Sequence, residues 1–278
     1  MLNKKVKFLA LLVLIISLAI TMVACDMGND IVDEVEDEPE VVEFEDSNLE
    51  EVVRDKINKP EGDILLDDVL DIEELEAPGK DIESIEGIQY LSNLKVLDLG
   101  SYYDSDKEIF KTNQIGDISP LSNLTNLELL RFQKNEVSDI SPLENLTNLT
   151  GLRLEGNEVS DISPLENLTN LEWLGFSSNK VSDINPLENL IKIWGLFFND
   201  NEVSDIGSLE NLTNLSWLEF SRNEVSDISP LVENDGFGDG DDIDMRENRL
   251  DLTPGSEDMN NIQELIDRGV DVEYEPQK

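Results

Sequence analysis

Asn113, Asn135, Asn157, Asn179, Asn201 and Asn223 follow one another at intervals of 22 residues, and Asp117, Asp139, Asp161, Asp183, Asp205 and Asp227 keep the same step. No other feature of the chain restricts its folding as severely. A unit this short cannot bury an apolar face alone, so it must stack on copies of itself and share one interior. Leu130, Leu152, Leu174, Leu196 and Leu218 form another column, followed two places on by Phe132, Leu154, Phe176, Phe198 and Phe220. Leu75 and Leu97 carry the leucine column backwards, and Ile82, Ile85 and Ile88 match Val137, Ile140 and Leu143. Ile243, Met245 and Asn248 make a last turn displaced by three residues, giving about eight coils.

Within a coil, Leu-x-Leu is a short strand that points two apolar side chains inward and the residues between them outward, because strand side chains alternate. An Asn after it satisfies backbone groups of its own turn and of a neighbouring coil, so one per coil makes a continuous amide ladder. Pro120, Pro142, Pro164, Pro186 and Pro230 then sit where a tight turn or 3₁₀ segment begins and a missing N–H does no harm. The repeated Asp column is accounted for by the same turn chemistry.

Taken together, Leu-x-x-Leu-x-Leu-x-x-Asn-x-Val-x-Asp-Ile-x-Pro-Leu resembles the leucine-rich repeats of the internalin type found on bacterial surfaces, from about Phe44 to the end. The resemblance implies an α/β leucine-rich repeat solenoid: about eight coils of 22-residue period, a parallel concave sheet, a convex side of 3₁₀ segments and turns, and a protein ligand gripped on the concave face. A helical N-terminal cap is expected over 44–66, where Asp46 or Ser47 opens a helix through Leu49, Val52, Val53 and Ile57 that Pro60 and Gly62 stop. The solenoid is expected over 67–252 with an insertion at 101–111, and a helix-strand cap over 253–278 runs through Met259, Ile262, Leu265 and Ile266 to Gly269, then Val270 to Tyr274. Two departures from the family pattern are expected, no immunoglobulin-like domain after the repeats and no cell-wall sorting motif.

At the other end, Lys4, Lys5 and Lys7 precede an apolar run from Phe8 to Ile20 and then Thr21-Met22-Val23-Ala24-Cys25. This resembles a bacterial lipoprotein signal over 1–24, with Met22 in place of the usual leucine, cleaved so that Cys25 carries the acyl chains. Two chains anchor stably where one is marginal, so a lipid-anchored position on the outside of the cell membrane is expected. Residues 25–43 read as an acidic disordered tether, half of 26–41 being Asp or Glu. Cys25 is the only cysteine, so no disulfide forms within the chain and stability rests on packing.

The formal charge is −43, and removing 1–24 takes away three lysines and no acids, leaving −46. Such a surface repels nucleic acid and anionic headgroups, so neither is an expected partner, and a monomer is expected. The chain has no histidine, which excludes Ser-His-Asp and Cys-His catalysis and imidazole-bound zinc. No phosphate-cradling glycine loop is present, and no cofactor is expected. The acidic stretch 233–242 fails as an EF-hand, since a loop begun at Asp235 puts Arg246 where the bidentate glutamate belongs; a solvated turn is expected, and no metal. Carboxylate pairs are abundant among 63 acids and therefore uninformative, so the chain is read as a non-enzyme.

Function should lie where coils differ on a shared face. The position before each column leucine reads Leu129, Gly151, Trp173, Gly195, Trp217, and the position after it reads Arg131, Arg153, Gly175, Phe197, Glu219. Trp173 and Trp217, two coils and so about 10 Å apart, would flank the bare backbone at Gly195, room for a side chain or a sugar ring. Trp173, Trp217, Phe197 and Trp194 are thus expected to form an apolar hot spot beside Leu129, with Arg131 and Arg153 as a cationic rim. The competing reading packs the indoles over adjacent strands, or turns Trp194 into the core. Tyr102 and Tyr103, with Phe110, lie in the insertion, either on a loop contributing to recognition at the rim or folded back on the cap. The expected function is recognition of an extracellular protein or glycan ligand, in adhesion among other roles, with a ligand-free envelope spacer as the alternative.

Overall fold

The computed structural model describes residues 40–278. The expected signal segment, the expected lipidation at Cys25 and residues 25–39 of the expected tether lie outside the described residues. Residues 40–43, assigned to the tether, are folded: Val41 bridges Leu65, Val42 is buried, and Val42 N–H and Leu66 N–H donate to the carbonyls of Ile64 and Glu40 at 2.8 Å. Burial of Val42 and the backbone pairing with Ile64 to Leu66 outweighed the acids around them, while Val41 stays exposed.

Helix α1 (Ser47–Ile57) begins where Asp46 accepts from the backbone N–H groups of Asn48 and Leu49, burying Leu49 and Val53. It ends one step earlier than Pro60 and Gly62 suggest, at Asn58, which adopts a left-handed φ of 54°. A four-residue helix, α2 (Leu66–Val69), follows and crosses the expected boundary at 66.

Nine strands then form one parallel sheet: β1 (Glu74–Glu76), β2 (Val96–Asp98), β5 (Leu129–Arg131), β6 (Gly151–Arg153), β7 (Trp173–Gly175), β8 (Gly195–Phe197), β9 (Trp217–Glu219), β10 (Asp242–Asp244) and β11 (Asp271–Glu273). Their central residues are in register from Leu75 through Leu97, Leu130, Leu152, Leu174, Leu196 and Leu218 to Ile243 and Val272. The central leucines are fully buried. Behind them Phe176, Phe198 and Phe220 stack with centroids 5.6 Å apart.

On the opposite wall, Ser119–Leu121, Ser141–Leu143, Ser163–Leu165 and Asn185–Leu187 are 3₁₀ segments carrying a proline in their first turn. Each is opened by the Asp column, as when Ser163 N–H donates to Asp161 Oδ1 at 2.8 Å. Pro230 instead opens a short α-helix, α3 (Ser229–Glu233).

The amide ladder is continuous. Val137 N–H donates to Asn157 Oδ1 (3.0 Å), while Asn157 Nδ2 donates to the carbonyls of Leu154 in its own coil and Phe132 in the preceding one (3.0 Å each). Asn113, Asn135, Asn179, Asn201 and Asn223 repeat the pattern, and Asn248 adds the displaced rung. The residue before each rung from Asn135 onward takes a left-handed φ: Lys134, Gly156, Ser178, Asp200, Arg222 and Glu247. A second, exposed ladder joins the coils outside: Asn148 and Asn170 donate to the carbonyls of Thr125 and Thr147 at 2.8 Å.

The insertion is a hairpin of β3 (Tyr102–Asp104) and β4 (Ile109–Lys111). At the C-terminal edge, helix α4 (Glu257–Asp267) starts at Ser256 rather than Thr253, buries Ile262 and Leu265, and ends before Gly269 at φ +98°. Ile266, expected on its apolar stripe, is 40% exposed instead. Strand β11 closes the sheet.

Candidate ligand-binding site on the sheet face

Because each strand buries its middle residue, the residues on either side of it form two parallel columns on the outer surface of the sheet, and the unlike letters of the repeat meet there. Across β6 to β9 the side chains interlock. The Arg153 guanidinium lies 5.1 Å from the Trp173 ring centroid, Trp173 and Phe197 are 5.0 Å apart at 33°, and Phe197 meets Trp217 edge-on at 4.9 Å and 79°. Trp217 is 44% exposed and donates from Nε1 to Glu219 at 3.0 Å, which fixes its ring.

This corrects the expectation of a gap at Gly195. The Phe197 ring occupies it, and a Cβ at Gly195 would lie 2.8 Å from Trp173 and 3.1 Å from Phe197. Phe197 is itself 8% exposed, so it acts as the wedge between two tryptophans and offers little surface of its own. Trp194 lies outside the aromatic row and outside the core: it precedes β8, is exposed, and its carbonyl accepts from the N–H groups of Ser216 and Trp217.

An open recess does exist, two coils earlier. Leu129 and Trp173 wall a cavity of about 220 Å³ above Gly151, with Arg131 and Arg153 along one side. The same glycine pattern is more open there because no atom of Arg153 comes within 4 Å of a Cβ built at Gly151, whereas Phe197 folds to 3.1 Å over Gly195.

The arginines are paired, not free. Arg131 lies 3.4 Å from Asp98 and Arg153 lies 3.0 Å from Glu155. Glu155 is a participant that the repeat columns did not single out. Burial pushes its carboxyl above the ordinary value, Arg153 opposes the rise, and its Oε2 is buried with no hydrogen-bond partner. The bare Gly175 makes room for it, since a Cβ there would stand 2.6 Å from Glu155 Oε1 and 2.9 Å from Trp173. The signal was present: its column reads Gln133, Glu155, Ser177, Asn199, Ser221, with one charge among neutral residues.

Carboxylates occupy both ends of the face. Glu74, Glu76 and Asp98 lie on β1 and β2; Asp242, Asp244, Asp271 and Glu273 lie on β10 and β11. Burial, then the negative charges of Asp271, Glu219 and Asp244, raise Asp242 above the usual carboxylate range, while Arg246 pairs with Asp244 at 2.8 Å and Glu273 at 2.9 Å.

Tyr102 and Tyr103 are 44% and 53% exposed on the hairpin. Tyr103 packs on Phe110 at 5.2 Å, and Lys134 of the following coil sits 3.0 Å over the Phe110 ring, so the hairpin leans on the next coil. No ring contact joins it to the tryptophan row among the described residues.

A family model described as leucine-rich repeats in two copies matches residues 125–167. No curated protein sequence matches the chain. Among solved structures, an internalin (inlF) of Listeria monocytogenes is 29% identical, with a TM-score of 0.66 over 88% of this chain and 74% of the other. Internalin C2 of the same organism is 29% identical, with a TM-score of 0.56 over 81% of this chain and 100% of its own. A leucine-rich repeat protein of Leptospira interrogans, 15% identical with a TM-score of 0.52, covers 75% of this chain and 62% of its own and shares the fold. The fold is a leucine-rich repeat solenoid, internalin-like in structure, and its relatives support a protein-interaction module; no catalytic family is indicated.

Proposed function

We propose that this chain is a non-enzymatic recognition module of the bacterial cell surface, held to the outer side of the membrane through lipid on Cys25, that binds an extracellular protein on the exposed sheet face between β5 and β9. The observation that carries the reading is the row Trp173–Phe197–Trp217: large aromatic rings locked against one another on an outer surface whose interior packing is already complete without them. Preordered aromatics lose little conformational freedom on binding and dominate the energetics where partners meet. The solenoid itself asks only for leucines, asparagines and prolines at fixed places.

The test is saturable binding of the full chain to surface proteins of neighbouring or host cells. Trp217→Ala should lower affinity at least about tenfold, the loss expected on truncating a hot-spot residue, with an unchanged melt because that ring is outside the core. A chain with no saturable partner is a spacer, and saturable binding that ignores Trp217 overturns the assignment of the site to this aromatic row. Anchoring is tested separately by labelling with a radiolabelled fatty acid, which Cys25→Ser should abolish.

A further inference from the structure

We infer that the recess above Gly151 is the anchor pocket of this face, and that it receives an apolar side chain with a carboxylate beside it on the same segment of a protein partner. The inference rests on the recognition reading above and specifies its ligand.

Shape comes first. The cavity of about 220 Å³ has room for one large side chain, gripped between Leu129 and the Trp173 ring two strands away. Its floor is bare for no reason of backbone conformation: Gly151 is absent from the positive-φ glycines, and a Cβ there would meet only the tip of Leu129, at 2.7 Å. A flexible leucine tip moves aside at little cost, so the solenoid tolerates a side chain at 151 and the opening is not forced by the fold. Gly156, at φ +70° one turn later, is the contrasting case in which the chain path itself favours glycine.

Charge then selects the occupant. Arg131 and Arg153 both line the recess. Arg131 gives one N–H, from Nη1 to Asp98, and Arg153 gives Nε to Glu155 at 3.0 Å. With its amide oxygen turned inward, Gln133 also accepts from Arg153 Nε and Nη1. Beyond these, Nε and Nη2 of Arg131 and Nη2 of Arg153 make no hydrogen bond to another described residue. Their existing partners hold the two planar forks at the lip, and a forked guanidinium is matched to a carboxylate. Elsewhere the same face is acidic, at β1–β2 and at β10–β11, so a carboxylate is repelled on both sides and meets cations here.

The experiment uses the full chain, labelled with ¹⁵N, titrated with N-acetyl-L-tryptophan and with its neutral amide. Both should perturb the amides of Gly151 and Trp173, and the acid should bind about tenfold more tightly than the amide. Gly151→Leu should remove both responses by filling the recess. Arg131→Met with Arg153→Met should leave the indole bound and abolish the preference for the acid; this pair keeps the test alive if the leucine variant unfolds. Equal binding of acid and amide overturns the carboxylate assignment. Perturbations centred on Trp217, or none near Gly151, overturn the pocket; if Trp217→Ala still abolishes partner binding, recognition stands without this anchor. Probe binding as expected in a chain with no saturable partner would instead defeat the recognition reading.

Discussion

An asparagine side chain carries both a donor and an acceptor on a short stem, and each rung of the inner ladder uses both in a place where water cannot substitute. Asn157 serves Val137 N–H and two carbonyls, so Asn157→Ala leaves buried backbone groups unsatisfied and should cost about 1–3 kcal/mol, read from denaturant unfolding. An unchanged midpoint would mean that water enters the turn. Glu155 makes the opposite case. Burial raises its folded pKa above 4.5, so the folded protein holds its proton more tightly than the unfolded chain does. The resulting stabilisation is complete below the unfolded value and is lost as pH rises through the folded one. At about pH 7 the charged side chain is a liability only partly relieved by Arg153 and its own backbone N–H, so Glu155→Gln should raise the melting temperature there, with the gain vanishing as the pH falls below 4.5. A gain that is equal at both pH values would show that the carboxylate's charge is not the cause.

At the scale of the element, what recurs in the letters was readable and what depends on a rotamer was not. The period identified each central strand, the turn at each Asn and the proline-led 3₁₀ segments, because every one of these is built from a residue type with a single local use. It said nothing about whether Gly151 or Gly195 lies open; that is decided by whether Arg153 or Phe197, two places along, folds over the bare strand. Nor could the insertion be assigned, since Tyr102, Tyr103 and Phe110 alternate as a hairpin requires but are exposed, leaving no burial pattern to read. The left-handed residue before each rung was also hidden, because only one coil places glycine there. For an L-residue that conformation costs about 1–2 kcal/mol, against about 0.5–1 kcal/mol of extra chain entropy lost by glycine. Ser178→Gly, at φ 56° and exposed, should therefore stabilise the turn by up to about 1 kcal/mol. Gly156→Ala should do the reverse by a similar amount, its new Cβ also meeting Lys134 Cγ at 3.3 Å. Unfolding midpoints that move in the same direction for both would refute the turn argument.

Over the whole molecule, repetition turns composition into geometry. A net charge of −43 is a statement about solubility, but a solenoid of near-identical coils also places each acid beside its own copies, as with Asp139, Asp161 and Asp183 at the head of successive 3₁₀ segments. Equivalent positions of neighbouring coils lie side by side, so such columns repel at short range as well as through the total charge. Packing must therefore hold the coils together against their electrostatics, and it does so through the leucine, phenylalanine and asparagine columns. The balance predicts a direction. Raising salt from about 0.01 M to about 0.15 M shortens the screening length from about 30 Å to about 8 Å, weakening repulsion between columns while leaving apolar burial intact. The melting temperature of the chain, followed by circular dichroism, should rise across that range and level off beyond it. The exposed ion pairs, such as Lys180 with Glu158 at 3.2 Å, are too few and too weak to reverse the trend. A melt that stays flat or falls with salt would mean that counter-ions or local pairing already neutralise the columns, and that the acidic copies stacked along the solenoid place no load on its folding.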